Sequence, residues 1–235
     1  MSPPRLGSPR LHLRRTDSTS DRARSLAAAG APHGTLVTAS EQTAGRGRQG
    51  RAWSAPPGRA LLCSVVLRDP PRLLPLAAGV AVAEAIDEGA RLKWPNDVML
   101  EGGKVAGILV EGRPQEGWAV LGAGVNVAVR PEDLPAELRS TAGTLGREPA
   151  AIEELLGALL RTLGKWLAAP DGEVLEAFRA RDALAGRRVA WSGGAGLASG
   201  IDGDGRLVVT TAGGATRALE AGEIHLEPPG ADAKG

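Results

Sequence analysis

Residues 73–87 constrain the fold more than any other segment. Only Glu84 and Asp87 are charged there, and Leu, Ala, Val and Ile fall on all sides of a helix drawn at 3.6 residues per turn. A helix apolar nearly all round has to be buried, so the segment predicts an interior helix, closed by Gly89. At 235 residues, 43% hydrophobic and 23% charged, the chain can bury such a core without disulfides or metals.

Short β-like runs surround that helix. They are Leu11–Arg15, Gly34–Ser40, Ala60–Leu67, Arg91–Trp94, Val105–Glu111 and Trp118–Val129. Asp17–Ser20 offer N-caps for a helix over Arg22–Ala29, with Gly30 just past its end. Ile152, Leu155, Leu156, Leu159, Leu160, Leu163, Trp166 and Leu167 share one helical face, and Glu173–Leu184 reads as a second amphipathic helix. After Gly186 come five short runs (RRVAW, GLASGI, RLVVT, ATRAL, EIHL) separated by Gly- and Asp-rich turns, the pattern of a small antiparallel barrel. The expected organisation is a flexible tail over 1–10, an α+β domain over 11–184, a C-terminal barrel over 185–228 and a disordered tail over 229–235.

Several classes are excluded. One cysteine, Cys63, rules out a disulfide framework and a Cys-based zinc site. His12, His33 and His225 lie far apart in sequence, and no apolar run approaches the ~20 residues of a membrane helix. The N-terminus lacks the apolar stretch of a secretory signal, which makes the cytoplasm the expected compartment. The formal charge of +1 conceals a split: residues 1–60 hold ten Arg against three acids, and the remainder has 18 basic and 24 acidic residues. A cationic front of this kind suits an anionic partner or substrate.

Three segments carry candidate chemistry. In Gln42–Trp53 (QTAGRGRQGRAW), Gly and Arg alternate inside a long irregular stretch, residues 41–58. Gly lets the backbone pass close to a ligand, and Arg supplies a permanent charge with a planar donor fork. An anion-binding loop, a nucleic-acid contact and a solvated basic loop all remain open for this segment. Lys93-Trp94-Pro95-Asn96-Asp97 is followed by Lys104–Glu111 with Gly107 inside a β-run, so two of only four lysines lie eleven positions apart. An Asx turn with two surface lysines is the alternative there, but two of so few lysines lying so close together favours function. Gly122-Ala123-Gly124-Val125-Asn126 places two glycines and one amide in an apolar strand, where a structural role is as good a reading. The Gly122–Val127 segment is not a GxGxxG fingerprint, no GxxxxGK[ST] or GxSxG sequence occurs, and Cys63 in its apolar run reads as core rather than nucleophile.

Taken in order, DST (17–19), QTAGRGRQGRAW (42–53), KWPNDV (93–98), GGKVAGILVE (102–111) and GAGVN (122–126) resemble the biotin protein ligases, and LAGRRVAW…GIDGDGRLVV…AGEIHL resembles their C-terminal barrel. The resemblance implies a class II synthetase-like mixed sheet with flanking helices plus an SH3-like barrel. It implies two steps: biotin and ATP give biotinyl-5′-AMP and pyrophosphate, then biotin passes to one lysine of a biotin carboxyl carrier protein, such as a subunit of acetyl-CoA carboxylase. It also implies Mg²⁺, with no membrane or DNA partner, and homodimer formation as a further expectation.

The same resemblance assigns residues. Ser18, Thr19, Ser20 and Gln42 would meet the ureido ring of biotin, with Gly45, Gly47 and Gly107 giving backbone contacts. Arg46, Arg48 and Lys104 would hold the carboxylate and phosphates. Lys93, Asn96 and Asn126 would manage ATP and, at Asn126, Mg²⁺. Lys104, Arg46 and Asp97 are the expected catalytic set, with Asp97 receiving or orienting the incoming lysine. The family's usual DSTN reads DSTS here, so the contact of the usual Asn is replaced at Ser20. The family's N-terminal winged helix has no room before residue 17, so a ligase without repressor function is expected. Nucleic-acid binders, lipoate- or octanoyl-transferases and carrier-protein adaptors are the alternatives, and none of them explains the GRGRxGRxW and KWPND pair.

Overall fold

The computed structural model describes residues 6–220 and 224–226. The elements are β1 (Arg10–Leu13), α1 (Thr19–Ala28), β2 (Leu36–Ala39), β3 (Ala60–Arg68), α2 (Leu74–Ile86), β4 (Arg91–Lys93), β5 (Asp97–Leu100), β6 (Gly103–Arg113) and β7 (Trp118–Asn126). They continue with α3 (Ala151–Leu167), α4 (Asp171–Ala180), β8 (Arg188–Trp191), β9 (Gly194–Ile201), β10 (Leu207–Thr210), β11 (Thr216–Leu219) and β12 (His225–Leu226). A seven-stranded mixed sheet runs β1-β2-β3-β7-β6-β5-β4, with β1 and β2 parallel and the other pairs antiparallel.

The central strands are covered on both faces, and β3 shows how. Leu61, Cys63, Val65 and Leu67 join α2, α3 and α4 in the main core. Val66 points the other way, into a smaller core with Ala23, Ala27, Val37, Trp118 and Val120 under α1. Leu62 also points that way, beyond the reach of α1, and packs with Ala60, Val129, Leu134 and Trp53. One sheet face is therefore sealed by helices, and the other is covered by α1 at one end and by loops at the other. The apolar helix α2 is interior as expected, with nothing of Ala78, Ala81 or Ala83 exposed.

The second sheet has the order β11-β10-β9-β8-β12. Its size and antiparallel pairing fit the expected SH3-like unit, but no β11–β12 pairing closes it among the described residues. It shares the main core through Val189, Ala198, Ile201, Leu207, Val209 and Ile224. Trp94 links the two sheets: its ring is buried and Nε1 donates to the Gly205 carbonyl at 3.0 Å.

Two expectations change. Residues 6–10, read as flexible tail, are tied down: Leu6 packs on the core, Gly7 N donates to Gly34 O at 2.8 Å, and Leu36 N donates to Pro9 O. Residues 1–5 and 229–235, the rest of the expected tails, lie outside the described residues. The helix over Glu173–Leu184 stops at Ala180, because Arg181 O accepts from Leu92 N and Ala183 N donates to Leu92 O, turning the chain onto the β4 edge. Among the described residues no helix is long and apolar enough to cross a membrane.

Trp94→Phe keeps the buried ring and deletes the one donor to Gly205. A loss of about 1–3 kcal/mol is expected, the cost of a buried carbonyl left unpaired. In urea unfolding the midpoint should fall with the slope unchanged; an unchanged midpoint would show that this bond does not couple the sheets.

Candidate active site

Register brings the motifs together. Ala39, Leu62, Gly124, Gly107, Asp97 and Lys93 are direct partners across β2, β3, β7, β6, β5 and β4. They form one transverse row, so their side chains share one face. That face is the one opposite the main core, beyond the N-terminus of α1. A β-bulge adds Lys104. Val98 pairs with Ala106 while Met99 pairs with Lys104, which leaves Val105 as the extra residue. With one residue inserted, Lys104 and Gly107 face the same side although they are three positions apart. Lys104 Nζ then stands 2.7 Å from Asp97 Oδ1.

Glycines make the floor. A Cβ on Gly124 would lie 2.5 Å from Trp53 Cε2, and one on Gly107 would lie 2.9 Å from Trp53 Cζ3. A Cβ on Gly122 would lie 2.6 Å from Ser20 Oγ. Trp53 thus rests on Gly107 and Gly124, and Ser20 rests on Gly122. Trp53 Nε1 is buried without a hydrogen-bond partner, and Lys104 Nζ stands 5.8 Å from the centre of a Trp53 ring. Trp53 ended the Gly/Arg motif in the sequence, but nothing there showed that its ring reaches the sheet.

The Gly/Arg segment is a small hairpin rather than irregular loop. Trp53 N donates to Gly45 O at 2.8 Å, Gly47 N donates to Arg51 O at 2.7 Å, and Arg46 pairs with Ala52. The turn uses left-handed backbone at Gln49 (φ 55°) and Gly50 (φ 75°). Arg46 spans two elements, with Nη1 2.7 Å from Asp21 Oδ1 and Nη2 2.8 Å from Glu111 Oε1. The Asp21 hydrogen bond holds its guanidinium above the usual arginine range. Arg24 pairs with the same two carboxylates. Arg48 has no such partner: Nη1 lies 3.4 Å from Asn96 Oδ1, and burial pushes its pKa down against the attraction of Asp97. Burial also lowers Lys93, with Lys104 and Arg51 adding repulsion while Asp97 opposes them.

The cleft between hairpin and sheet is lined by Arg46, Arg48, Arg51, Lys93 and Lys104, and among its described lining residues Asp97 is the one carboxylate. Arg48, Lys93 and Lys104 face Asp97 in a half-buried space, an excess of positive charge that suits an anion. Thr19, Ser20, Gln42, Gly47, Asn96 and Gly107 also line it, and Ile224 brings the second sheet to its edge. Three predicted residues do not. Ser18 is fully buried and caps α1, accepting from Asp21 N at 3.4 Å. Gly45 is the hairpin's closing residue, and Asn126 donates from Nδ2 to Gly143 O at 2.9 Å, holding the 143–145 segment.

Asn126 Oδ1 is buried with no partner. That single amide oxygen is a poor set for Mg²⁺, which needs about six oxygens. Among the described residues no group of three or more His, Cys, Asp or Glu could hold a metal ion. The expected Mg²⁺ therefore finds no protein-built site among the described residues.

Sequence reading missed Ser64. Its hydroxyl donates to Thr19 Oγ1 at 2.9 Å and stands 3.1 Å from Ser20 Oγ, while Thr19 N and Oγ1 reach Gln42 Oε1 at 2.6 and 2.9 Å. The signal was one hydroxyl inside the apolar run ALLCSVVL. Cys63 beside it is fully buried on the opposite face, and burial pushes its thiol up to about 12, so it stays a neutral core group.

The family model "Biotin/lipoate A/B protein ligase family" matches residues 12–126, and "Biotin protein ligase C terminal domain" matches 195–226. The biotin–[acetyl-CoA-carboxylase] ligase of Mycobacterium tuberculosis is 37% identical over 235 residues, spanning 90% of this chain and 86% of that protein. The chain belongs to the biotin protein ligase family. The bifunctional ligase/repressor BirA of Bacillus subtilis is 41% identical over 142 residues, but that match spans only 44% of its length and 55% of this chain. In three dimensions the chain is similar to the biotin protein ligase from Aquifex aeolicus in complex with biotin and ATP. That likeness has a TM-score of 0.79 at 28% identity and covers 94% of this chain and 99% of the other. As in the sequence reading, the motifs that mark this biotin protein ligase family member lie around one cleft.

Gly124→Ala should lift Trp53 off the sheet, because its Cβ would sit inside the ring's contact distance. With Trp53 unseated, trypsin should cut after Arg48 and Arg51 several-fold faster than in the wild type. Unchanged cleavage would show that the hairpin does not depend on the glycine floor.

Proposed function

We propose that this chain is an ATP-dependent biotin ligase that makes biotinyl-5′-AMP and transfers biotin to a lysine of a biotin carboxyl carrier domain, such as that of acetyl-CoA carboxylase. The observation that carries the reading is the cluster of Arg48, Lys93 and Lys104 around Asp97 over a glycine floor. Biotin and ATP are both anions, and their reaction needs the repulsion between carboxylate and triphosphate to be screened as the groups approach.

In the first step a carboxylate oxygen of biotin attacks the α-phosphorus of ATP, and the bond to the β-phosphate breaks to release pyrophosphate. Negative charge gathers on the α-phosphoryl oxygens. Lys104, held in place by Asp97, lies against the glycine floor, its Cε 3.5 Å from where a Cβ on Gly107 would stand, and Arg48 and Lys93 flank the same carboxylate. Their role is to stabilise that charge, each as a charge-assisted donor. Arg46 starts the reaction parked on Asp21 and Glu111, so it joins the phosphates only by exchanging carboxylate for phosphate.

In the second step the acceptor lysine attacks the acyl carbon of the mixed anhydride, and AMP leaves with the bonding electrons. The incoming ammonium must first lose a proton. Asp97 is suited to receive it once Lys104 turns to the phosphate, since it is the cleft's one carboxylate among the described lining residues. The hairpin 45–53 shields the anhydride from water, and its internal backbone bonds let it move as one piece.

ATP–pyrophosphate exchange measured with and without biotin tests the reading. Exchange should require biotin. Lys104→Ala should reduce it by about 10²–10³-fold, the loss typical of one removed transition-state donor. Arg46→Ala should reduce it less, and Arg72→Ala, whose exposed guanidinium pairs with Asp171 and Asp204, should leave it unchanged. Biotin-independent exchange, or full exchange in Lys104→Ala, would overturn the assignment.

A further inference from the structure

The hydroxyls of Thr19, Ser64 and Ser20 form a chain whose proton order is determined by one backbone group. The N–H of Thr19 can only donate, so the Gln42 atom 2.6 Å from it is the carbonyl oxygen Oε1 and not the amide nitrogen. Thr19 Oγ1, 2.9 Å from the same oxygen, must then donate its single proton there. Ser64 Oγ, 2.9 Å from Thr19 Oγ1, must donate to it, because the Thr19 proton is already used. Ser20 Oγ, 3.1 Å from Ser64 Oγ, must in turn donate to Ser64. Every proton in the chain therefore points toward Gln42.

Both ends of the chain line the cleft, while Ser64 is completely buried between them. At one end Gln42 Oε1 is occupied twice, which turns Nε2 away as a donor; Nε2 packs where a Cβ on Gly45 would come within 2.9 Å. At the other end Ser20 has given its proton to Ser64, so its oxygen faces the cleft with lone pairs only. It does so over Gly122, where any side chain would displace it.

We propose that Ser64 is a positioning residue that sets the polarity of this relay, so that Ser20 Oγ meets the cleft as a hydrogen-bond acceptor. Such an acceptor is complementary to the N–H of a planar cyclic urea or amide. This deepens the biotin-ligase reading and rests on it, with the ureido ring as the matching group. Ser20 then accounts for the departure from DSTN: a short hydroxyl closes a relay with Ser64. Without Ser64 the Ser20 proton is free to rotate, and the acceptor is no longer enforced.

The test is a double-mutant cycle in biotin-dependent ATP–pyrophosphate exchange, on the whole chain, with Ser64→Ala, Ser20→Ala and the double variant. Each single change should raise KM for biotin about tenfold, the worth of one net hydrogen bond. KM for ATP and kcat should stay within about twofold. Because the two hydroxyls act as one unit, the double variant should also stand near tenfold rather than near a hundredfold. Multiplying effects, a KM for ATP that rises in parallel, or single variants with wild-type KM for biotin would overturn the relay. Wild-type protein showing no biotin dependence would instead overturn the ligase reading. Thermal melting of each variant separates a loss of folding from a loss of recognition: a folded variant with unchanged KM counts against the proposal.

Discussion

The site depends on the absence of three side chains from one sheet face. β7 is buried along its whole length, and on the face away from α2 it carries Gly122 and Gly124 beside Gly107 of β6. Interiors are close-packed, so removing three side chains from adjacent positions would ordinarily leave a void costly to keep. Here Trp53 and Ser20 fill part of it from above. A large planar ring delivered by the hairpin occupies the space without being built into the sheet.

Charge follows from the same arrangement. The cations around the cleft outnumber its carboxylate, which raises the energy of the ligand-free state through mutual repulsion. The protein limits this by parking: Arg46 sits on Asp21 and Glu111, and Lys104 sits on Asp97. These ion pairs are partly exposed, so each contributes little to stability and each is readily exchanged. An anion entering the cleft meets donors that are already aimed, at the modest cost of breaking weak contacts.

The parts of the fold that were legible in sequence are those with a strong period or special composition. The stripe from Ile152 to Leu167 became α3, which begins one residue earlier than that stripe. The all-round apolar segment became the buried α2. The Gly/Arg and KWPND motifs did meet at one cleft, because strand register puts Lys93 and Asp97 on one row and the hairpin lays Trp53 over that row. Other parts depend on partners far away in sequence. The bulge at Val105 decides which face Lys104 takes, yet no residue type there marks it. Ser64 reads as an ordinary strand position until Thr19 and Ser20 are brought over it. The family resemblance implied ligand contacts for Ser18 and Asn126, which do not line the cleft. Their groups go instead to capping α1 and to holding the 143–145 segment, where backbone polar groups also need partners.

The second sheet is joined to the cleft by the same motif that supplies Lys93 and Asp97. Trp94 lies between those residues, and its Nε1–H is committed to Gly205 in the β9–β10 turn. That turn in turn presses on the start of α2, where a Cβ on Gly205 would come within 3.2 Å of Leu73 and Leu76. Ile224, on the segment leading into β12, reaches the cleft edge from the same sheet. A displacement of the small sheet would therefore act on Trp94 first and, through the turn Pro95–Asn96, on Asp97. Asn96 is pinned to Ile108 by two bonds, Nδ2 to O at 3.0 Å and O from N at 2.9 Å. Those bonds fix the turn against β6, so the row holding Asp97 and Gly107 moves with the sheet or not at all.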